Sequence, residues 1–186
     1  VEEMYSTMGN THLGRFDPLP TTLELFKLKW AITPEQASGY LSSDRPARLK
    51  LLESLTLIPN DRIFSNGVDP MSPTLIDQME WFASTEEACQ AMFWLAAKDE
   101  PKIRNILGIH VPVLDDVGSA TSHWAYAGYK GGSEPGVLNL TYLLESKQGS
   151  RACLSMTWNN SKQTLNTARF LDIVKKALSF AESQVP

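Results

Sequence analysis

Long apolar runs are missing from this sequence. No stretch approaches the ~20 residues that a membrane-spanning helix needs, so no membrane span is expected. A basic excess is missing as well. Lys and Arg number 17 against 21 Asp and Glu, for a net charge of -4. That balance creates no basic field and argues against a nucleic-acid partner. Cysteine is scarce: Cys89 and Cys153 are the only two, and they form no C-x-x-C pair. They fall on apolar faces of an expected helix and an expected strand, where buried free thiols are the plain reading. A disulfide and a catalytic thiol are the alternatives, so cysteine usage leaves the compartment open. There is no internal repeat and no low-complexity segment. The sequence opens at Val1 within a helix-like run, without an initiator Met or a signal-type apolar region, so a processed or truncated product is expected.

What is present suits one globular domain. The length of 186 residues is enough for a single core and too short for two ordinary ones. The first half reads as helical. Thr21-x-x-Glu24 is a capping box that opens the run Leu23, Leu25, Phe26, Leu28, Lys29, Trp30. Pro34 suits the first turn of a short helix ending near Leu41. Leu49, Leu52 and Leu55 share one face of a helix over 44–55. Pro59, Asn60, Asp61, Asn66, Gly67, Asp69, Pro70 and Pro73 then mark a long irregular loop, a kind of segment that often carries function. Ser84-x-x-Glu87 is a second capping box, and Pro101 begins another short helix up to Leu107.

After residue 111 the period changes. His123–Tyr129, Val137–Leu144 and Ala152–Trp158 read as strands. Short, turn-rich connections at 131–136 and 146–149 join them, so an antiparallel meander is expected. A last helix is expected from about Lys162, with Leu171, Val174, Leu178 and Ala181 as the stripe that packs on one sheet face. The fold class is α+β, with a helical first half and a three-stranded antiparallel sheet covered by a C-terminal helix.

The sharpest chemical feature is Lys130-Gly131-Gly132-Ser133. A lysine at a strand end offers a point charge for a substrate carboxylate. Paired glycines let a ligand lie close to the backbone, since no Cβ intrudes. Free edge N–H groups can bind a carbonyl oxygen or an oxyanion. A hairpin turn with a solvated lysine is the competing reading of the same four residues.

The longer run Trp124-Ala125-Tyr126-Ala127-Gly128-Tyr129-Lys130-Gly131-Gly132-Ser133-Glu134-Pro135-Gly136-Val137-Leu138-Asn139 resembles the K-T-G strand and the following strand of class A β-lactamase-related serine hydrolases and penicillin-binding proteins. The segments Thr21–Lys29 and Glu80–Ser84 resemble helical parts of the same group. The resemblance implies a bacterial β-lactamase/transpeptidase-like fold, present here as one incomplete domain: a helical part over 1–110, then the sheet and terminal helix over 111–186. Such enzymes carry S-x-x-K, S-D-N and K-T-G in chain order. The first two motifs are absent from this sequence, and we expect it to begin after them. Lys130 then stands at the position of the catalytic, substrate-anchoring lysine. Gly131 and Gly132 line the substrate position, and the Ser133 N–H is one oxyanion donor. Gly131 replaces the hydroxyl residue usual there, so a threonine at 131 should strengthen carboxylate recognition if its Cβ fits.

The resemblance implies the C-terminal portion of a serine hydrolase of β-lactamase, D,D-peptidase or esterase type, inactive alone. A non-catalytic binding module with a degenerate version of the fold is the alternative. Implied partners are a small-molecule or peptide acyl substrate, and either the missing N-terminal segment or a second copy. The implied compartment is periplasmic or extracellular.

Glu80 is the carboxylate nearest the Ser84 helix, where class A enzymes have a deacylating glutamate. It aligns poorly with that residue and reads better as a helix-turn or salt-bridge group. His110, His123, Asp115 and Asp116 match no standard metal spacing, so neither metal nor cofactor is expected. Gly131-x-Ser133-x-Pro135 misses the nucleophile elbow at its last glycine. Asn139-x-Thr141 and Asn159-x-Ser161 are formal glycosylation sequons, and the first falls within an expected strand.

Overall fold

A computed structural model describes residues 2–186. Val1, where the helix-like run opens, lies outside the described residues. The α-helices are α1 (Glu2–Thr7), α2 (Thr22–Trp30), α3 (Pro34–Ser42), α4 (Arg45–Leu55), α5 (Thr85–Ala97), α6 (Pro101–Gly108) and α7 (Thr167–Gln184). The strands are β1 (Trp124–Glu134), β2 (Val137–Ser146) and β3 (Arg151–Asn159), in the order β1-β2-β3 with both pairings antiparallel. The chain is α+β, with the helical first half and the antiparallel meander that the periodicity predicts. None of the described helices is long and apolar enough to cross a membrane.

Local chemistry sets most helix starts. Thr21 Oγ1 accepts from the Glu24 N–H, and the Glu24 carboxylate accepts from the Thr21 N–H at 2.7 Å. Ser84 and Glu87 close the same reciprocal pair at the start of α5. A third box, Thr33 with Gln36, precedes Pro34 and was not read from the sequence. Each pair satisfies two of the N–H groups that a helix start leaves open. The loop between α4 and α5 is irregular apart from one 3-10 turn at Asn60–Arg62.

Three expectations need correction. The first strand does not end at Tyr129. It runs through Lys130 to Glu134, and only Pro135 and Gly136 remain for the turn. Gly131 and Gly132 pair with Leu140 and Asn139, because β2 supplies a continuous partner that outweighs the low strand propensity of glycine. The last helix starts at Thr167 rather than near Lys162, since Asn166 caps it by accepting from the Arg169 N–H at 2.9 Å. Its innermost residues are Phe170, Val174 and Leu178, so Phe170 displaces Leu171 from the centre of the expected stripe. Lastly, Cys89 and Cys153 are not free thiols. They form a disulfide between α5 and β3, because that helix crosses the sheet with the two Cα atoms 5.7 Å apart.

The sheet is covered on both faces. α7 packs Phe170, Val174 and Leu178 against Trp124, Ala127, Tyr142 and Leu144. On the other face Met92 and Ala96 of α5 and Leu107 of α6 meet Leu143. Strand alternation sends neighbouring β2 residues into opposite layers. A separate core joins α2, α3 and α4 through Leu25, Leu28, Ile32, Tyr40, Leu52 and Leu55. Two buried cations here, Lys27 and Arg48, are satisfied by carbonyls. Lys27 donates to Leu55 O at 3.0 Å, and Arg48 donates to the carbonyls of Asp17, Tyr40 and Leu41.

Candidate functional site

β1 is an outer strand, so one side of its backbone has no strand neighbour. Lys130, Gly131, Gly132 and Ser133 follow one another along that edge. Alternation places Tyr129, Gly131 and Ser133 toward one face and Lys130 and Gly132 toward the other. Lys130, Gly132 and Ser133 are exposed, while Tyr129 and Gly131 are half-buried. The run is therefore continuous strand edge and not a hairpin loop.

The glycines differ in why they are glycine. A Cβ on Gly132 would meet nothing within 4 Å. A Cβ on Gly131 would fall on the Tyr129 hydroxyl and 2.6 Å from its Cζ, and would come within 3.3 Å of Asn139 O. The space that a threonine at 131 needs is already filled by a phenol from two residues earlier. Gly128 repeats the device on the opposite face, where a Cβ would lie 2.7 Å from the Tyr126 hydroxyl. The two phenols differ in their bonding. Tyr126 Oη donates to Arg104 O at 2.9 Å, whereas Tyr129 Oη makes no hydrogen bond to the described residues. The Tyr129 ring packs against Tyr142, with centroids 5.4 Å apart, and burial pushes its hydroxyl pKa upward. It is a neutral donor at ordinary pH.

Lys130 folds back along the strand, and its Nζ donates to Gly131 O. It has no carboxylate partner among the described residues. Lys130 and Tyr129 thus approach Gly131 separately, from opposite faces of β1.

The far end of the strand is fastened differently. Lys29 on α2 has a fully buried side chain, and its Nζ reaches both oxygens of Glu134 at 2.7 and 2.9 Å. The same ammonium pairs with Glu80. Burial and a hydrogen bond with Glu134 push the Glu80 pKa up to about 8, against the pull of Lys29. Glu80 therefore holds a proton more readily than an exposed carboxylate, and it shares the Lys29 ammonium with Glu134. Glu80 occupies a salt bridge and not the first turn of α5.

Sequence reasoning placed Lys130, Gly131, Gly132 and Ser133 together, and they are contiguous on one edge. It missed Tyr129 and the Lys29–Glu80–Glu134 cluster. The i, i+2 spacing of Tyr129 and Gly131 was a usable sign once the strand was carried past residue 129. Lys29 left a weaker sign, a cation among apolar neighbours on its helix. A concavity of about 750 Å³ lies elsewhere, where α6 and the segment after it meet Tyr126 and Ala127. No three His, Cys, Asp or Glu side chains cluster in metal-binding fashion among the described residues.

No protein-family model matches this chain, and no curated protein matches it.

Proposed function

We propose that this chain is the substrate-binding C-terminal portion of a β-lactamase-like serine hydrolase. The observation that supports this best is the open β1 edge with Lys130-Gly131-Gly132-Ser133, where the backbone at Gly132 is free of any covering side chain. An acyl group laid along that edge extends the sheet by hydrogen bonding to its free backbone groups. The Ser133 N–H is the candidate oxyanion donor, and Lys130 is the candidate catalytic cation beside it. The 186 residues contain no S-x-x-K, so the nucleophile of this reaction is supplied from outside them. The acyl substrate is a small molecule or peptide. The macromolecular partner is the serine-bearing segment or a second copy. A periplasmic or extracellular location accords with the Cys89–Cys153 disulfide, since such bonds persist in oxidising compartments.

The experiment is to express the complete reading frame that encodes these residues and label it with a fluorescent penicillin or a fluorescent acyl ester. We expect covalent labelling of the full product and none of the 186-residue chain, which also turns over no chromogenic β-lactam. An unlabelled full product would replace this reading with a non-catalytic binding module that keeps the groove alone.

A further inference from the structure

We propose that Lys29, Glu80 and Glu134 form a proton-sharing clasp between the helical core and β1, and that the clasp regulates ligand capture by holding the Ser133 end of the strand. The inference rests on reading the β1 edge as an acyl groove, and it adds a control of that groove.

The three side chains come from three places. Lys29 is on α2, whose apolar face belongs to the helical core. Glu80 lies in the irregular segment that enters α5, and Glu134 closes β1. Lys29 is fixed in place: its side chain is 0% exposed, and Asn66 Nδ2 donates to its carbonyl at 3.1 Å. The carboxylates reach the rim, with side chains 21% exposed at Glu80 and 16% at Glu134. Among the described residues, the hydrogen bonds that tie this end of β1 to the helical half come from this cluster. Alternation puts Glu134 on the same face as Gly132, about 7 Å farther along the strand. The clasp therefore borders the open backbone where the ligand would lie.

Charge counting gives the direction of control. The charged groups facing Glu80 are Lys29 from α2 and Glu134 from β1. One ammonium faces two carboxylates, so with both ionised the cluster holds a surplus negative charge in a largely buried place. One proton between the carboxylates removes that surplus and leaves the Lys29–Glu134 bonds at full strength. Burial and the hydrogen bond with Glu134 accordingly raise the Glu80 pKa. Loss of the proton makes Glu80 compete for the ammonium that fastens Glu134. The Ser133 end of β1 then loosens, and an extended ligand loses a fixed N–H to pair with. Capture weakens as pH rises through the Glu80 midpoint. By linkage, a bound ligand makes the cluster hold its proton more tightly.

The test uses the full 186-residue chain and N-benzoylglycinamide, an uncharged acyl probe that does not titrate between pH 6 and 9. Carbon-13 NMR follows the Glu80 carboxyl carbon and the Cα signals of Gly132 and Ser133. Without the probe, we expect Glu80 to titrate above the ordinary carboxylate range and the Ser133 signal to move with the same midpoint. Glu134→Gln should lower the Glu80 midpoint by about one pH unit or more, since the second carboxylate is gone. Glu80→Gln should abolish the Ser133 titration. With the probe, the parent Kd should rise about five-fold or more from pH 6 to pH 9, and the Glu80→Gln Kd should stay level. Saturating probe should raise the Glu80 midpoint by the matching ~0.7 unit, a shift that a merely structural ion pair does not show. A Glu80 midpoint in the ordinary range, or a Ser133 signal that titrates alike in the parent and Glu80→Gln, overturns the clasp. Equal binding of the probe at pH 6 and pH 9 overturns the regulation and leaves the acyl groove standing. If the probe moves neither Gly132 nor Ser133 at any pH, the groove reading fails and the regulation fails with it, whatever Glu80 does alone.

Discussion

The two outer strands of the sheet differ in the side chains they carry and in how they are fastened. β1 gives up side chains along its edge at Gly131 and Gly132, although glycine in a strand interior is unfavourable by roughly 0.5–1 kcal/mol relative to alanine. β3 has no glycine. Its residues Ala152, Cys153, Leu154, Met156 and Trp158 are all partly covered, and Arg151 is its one charge. The acyl ligand proposed above would lie where the β1 edge carries least side-chain bulk, at Gly131 and Gly132. The fastenings differ too: β3 is tied covalently to α5, while β1 ends in the ionic Lys29–Glu134 link. Each edge can be loosened separately, and the outcomes test whether this division holds.

The largest effect belongs to the covalent tie. The disulfide spans 64 residues, and closing a loop of that size restricts the unfolded chain by about 4 kcal/mol in the chain-entropy description. Reduction, or the Cys89→Ala/Cys153→Ala double variant, should lower the urea midpoint by the corresponding amount. The β1 edge should stay intact, read by unchanged amide signals at Gly131–Ser133 under conditions where the chain remains folded. An unchanged midpoint would mean that α5 holds β3 by packing alone.

The ionic link should weaken with rising pH. The Glu80 pKa is raised from 4.5 to about 8 in the folded chain, so the unfolded state binds fewer protons across that interval. Stability is then greatest below pH 4.5 as far as this group is concerned, and falls progressively as pH climbs toward 8. The loss is on the order of a few kcal/mol at most. Glu80→Gln keeps a neutral donor at that position and should flatten this part of the profile. Equal pH profiles for the parent and Glu80→Gln, measured by denaturant titration between pH 5 and 8.5, would show that Glu80 holds no such proton. Because Glu134 directly follows Ser133, the same pH rise should also broaden the Ser133 amide signal.

The turn between β1 and β2 gives a smaller, local effect. Gly136 has φ +84°, and a Cβ there would collide with the Asn160 carbonyl and lie 2.9 Å from Pro73. Gly136→Ala should therefore destabilise by about 1–3 kcal/mol. Gly132→Ala, with open space around it, should stay within about 0.5 kcal/mol of the parent. Similar thermal midpoints for the two variants would contradict the tight packing assigned to the turn.

Much of this arrangement is legible in the residues themselves. The capping pairs Thr21/Glu24 and Ser84/Glu87 are local, and they place α2 and α5 correctly. The alternation in Val137–Leu144 and Ala152–Trp158 likewise locates β2 and β3. What escaped depends on partners distant in sequence. Lys130–Ser133 reads as a turn until β2 is laid beside it, since glycine carries no strand signal of its own. Cys89 and Cys153 become a pair only when α5 crosses β3. Glu80 has a raised pKa because the fold buries it and brings Glu134 from elsewhere in the chain beside it, against the pull of Lys29. The candidate site was picked out by the Lys130-Gly131-Gly132-Ser133 motif and its resemblance, and its surroundings are set by those longer-range contacts.

The smallest expected effect on stability is also the most informative about function. Lys130 is exposed and its one hydrogen bond goes to the neighbouring carbonyl of Gly131. Lys130→Ala therefore removes little packing, and the thermal midpoint should shift by no more than about 0.5 kcal/mol in stability. The alanine has no cation to place beside Gly131, so the acyl ligand proposed above would lose its charged partner at this edge. In a form of the protein that also carries the serine nucleophile, loss of one preorganised electrostatic contact should slow acylation by ~10²–10³. Stability and acylation then separate by a margin that assay error cannot blur. Both are measurable on one preparation, acylation with a fluorescent acyl probe and stability by thermal unfolding. Comparison with Gly132→Ala sharpens the result, because that variant adds a methyl at the groove floor while keeping the charge. If Lys130→Ala acylates at the parental rate, the cation is a solvated strand residue and the β1 edge selects by shape alone. If acylation and folding are lost together, Lys130 supports the strand, and the division of labour between the two edges fails at its most exposed point.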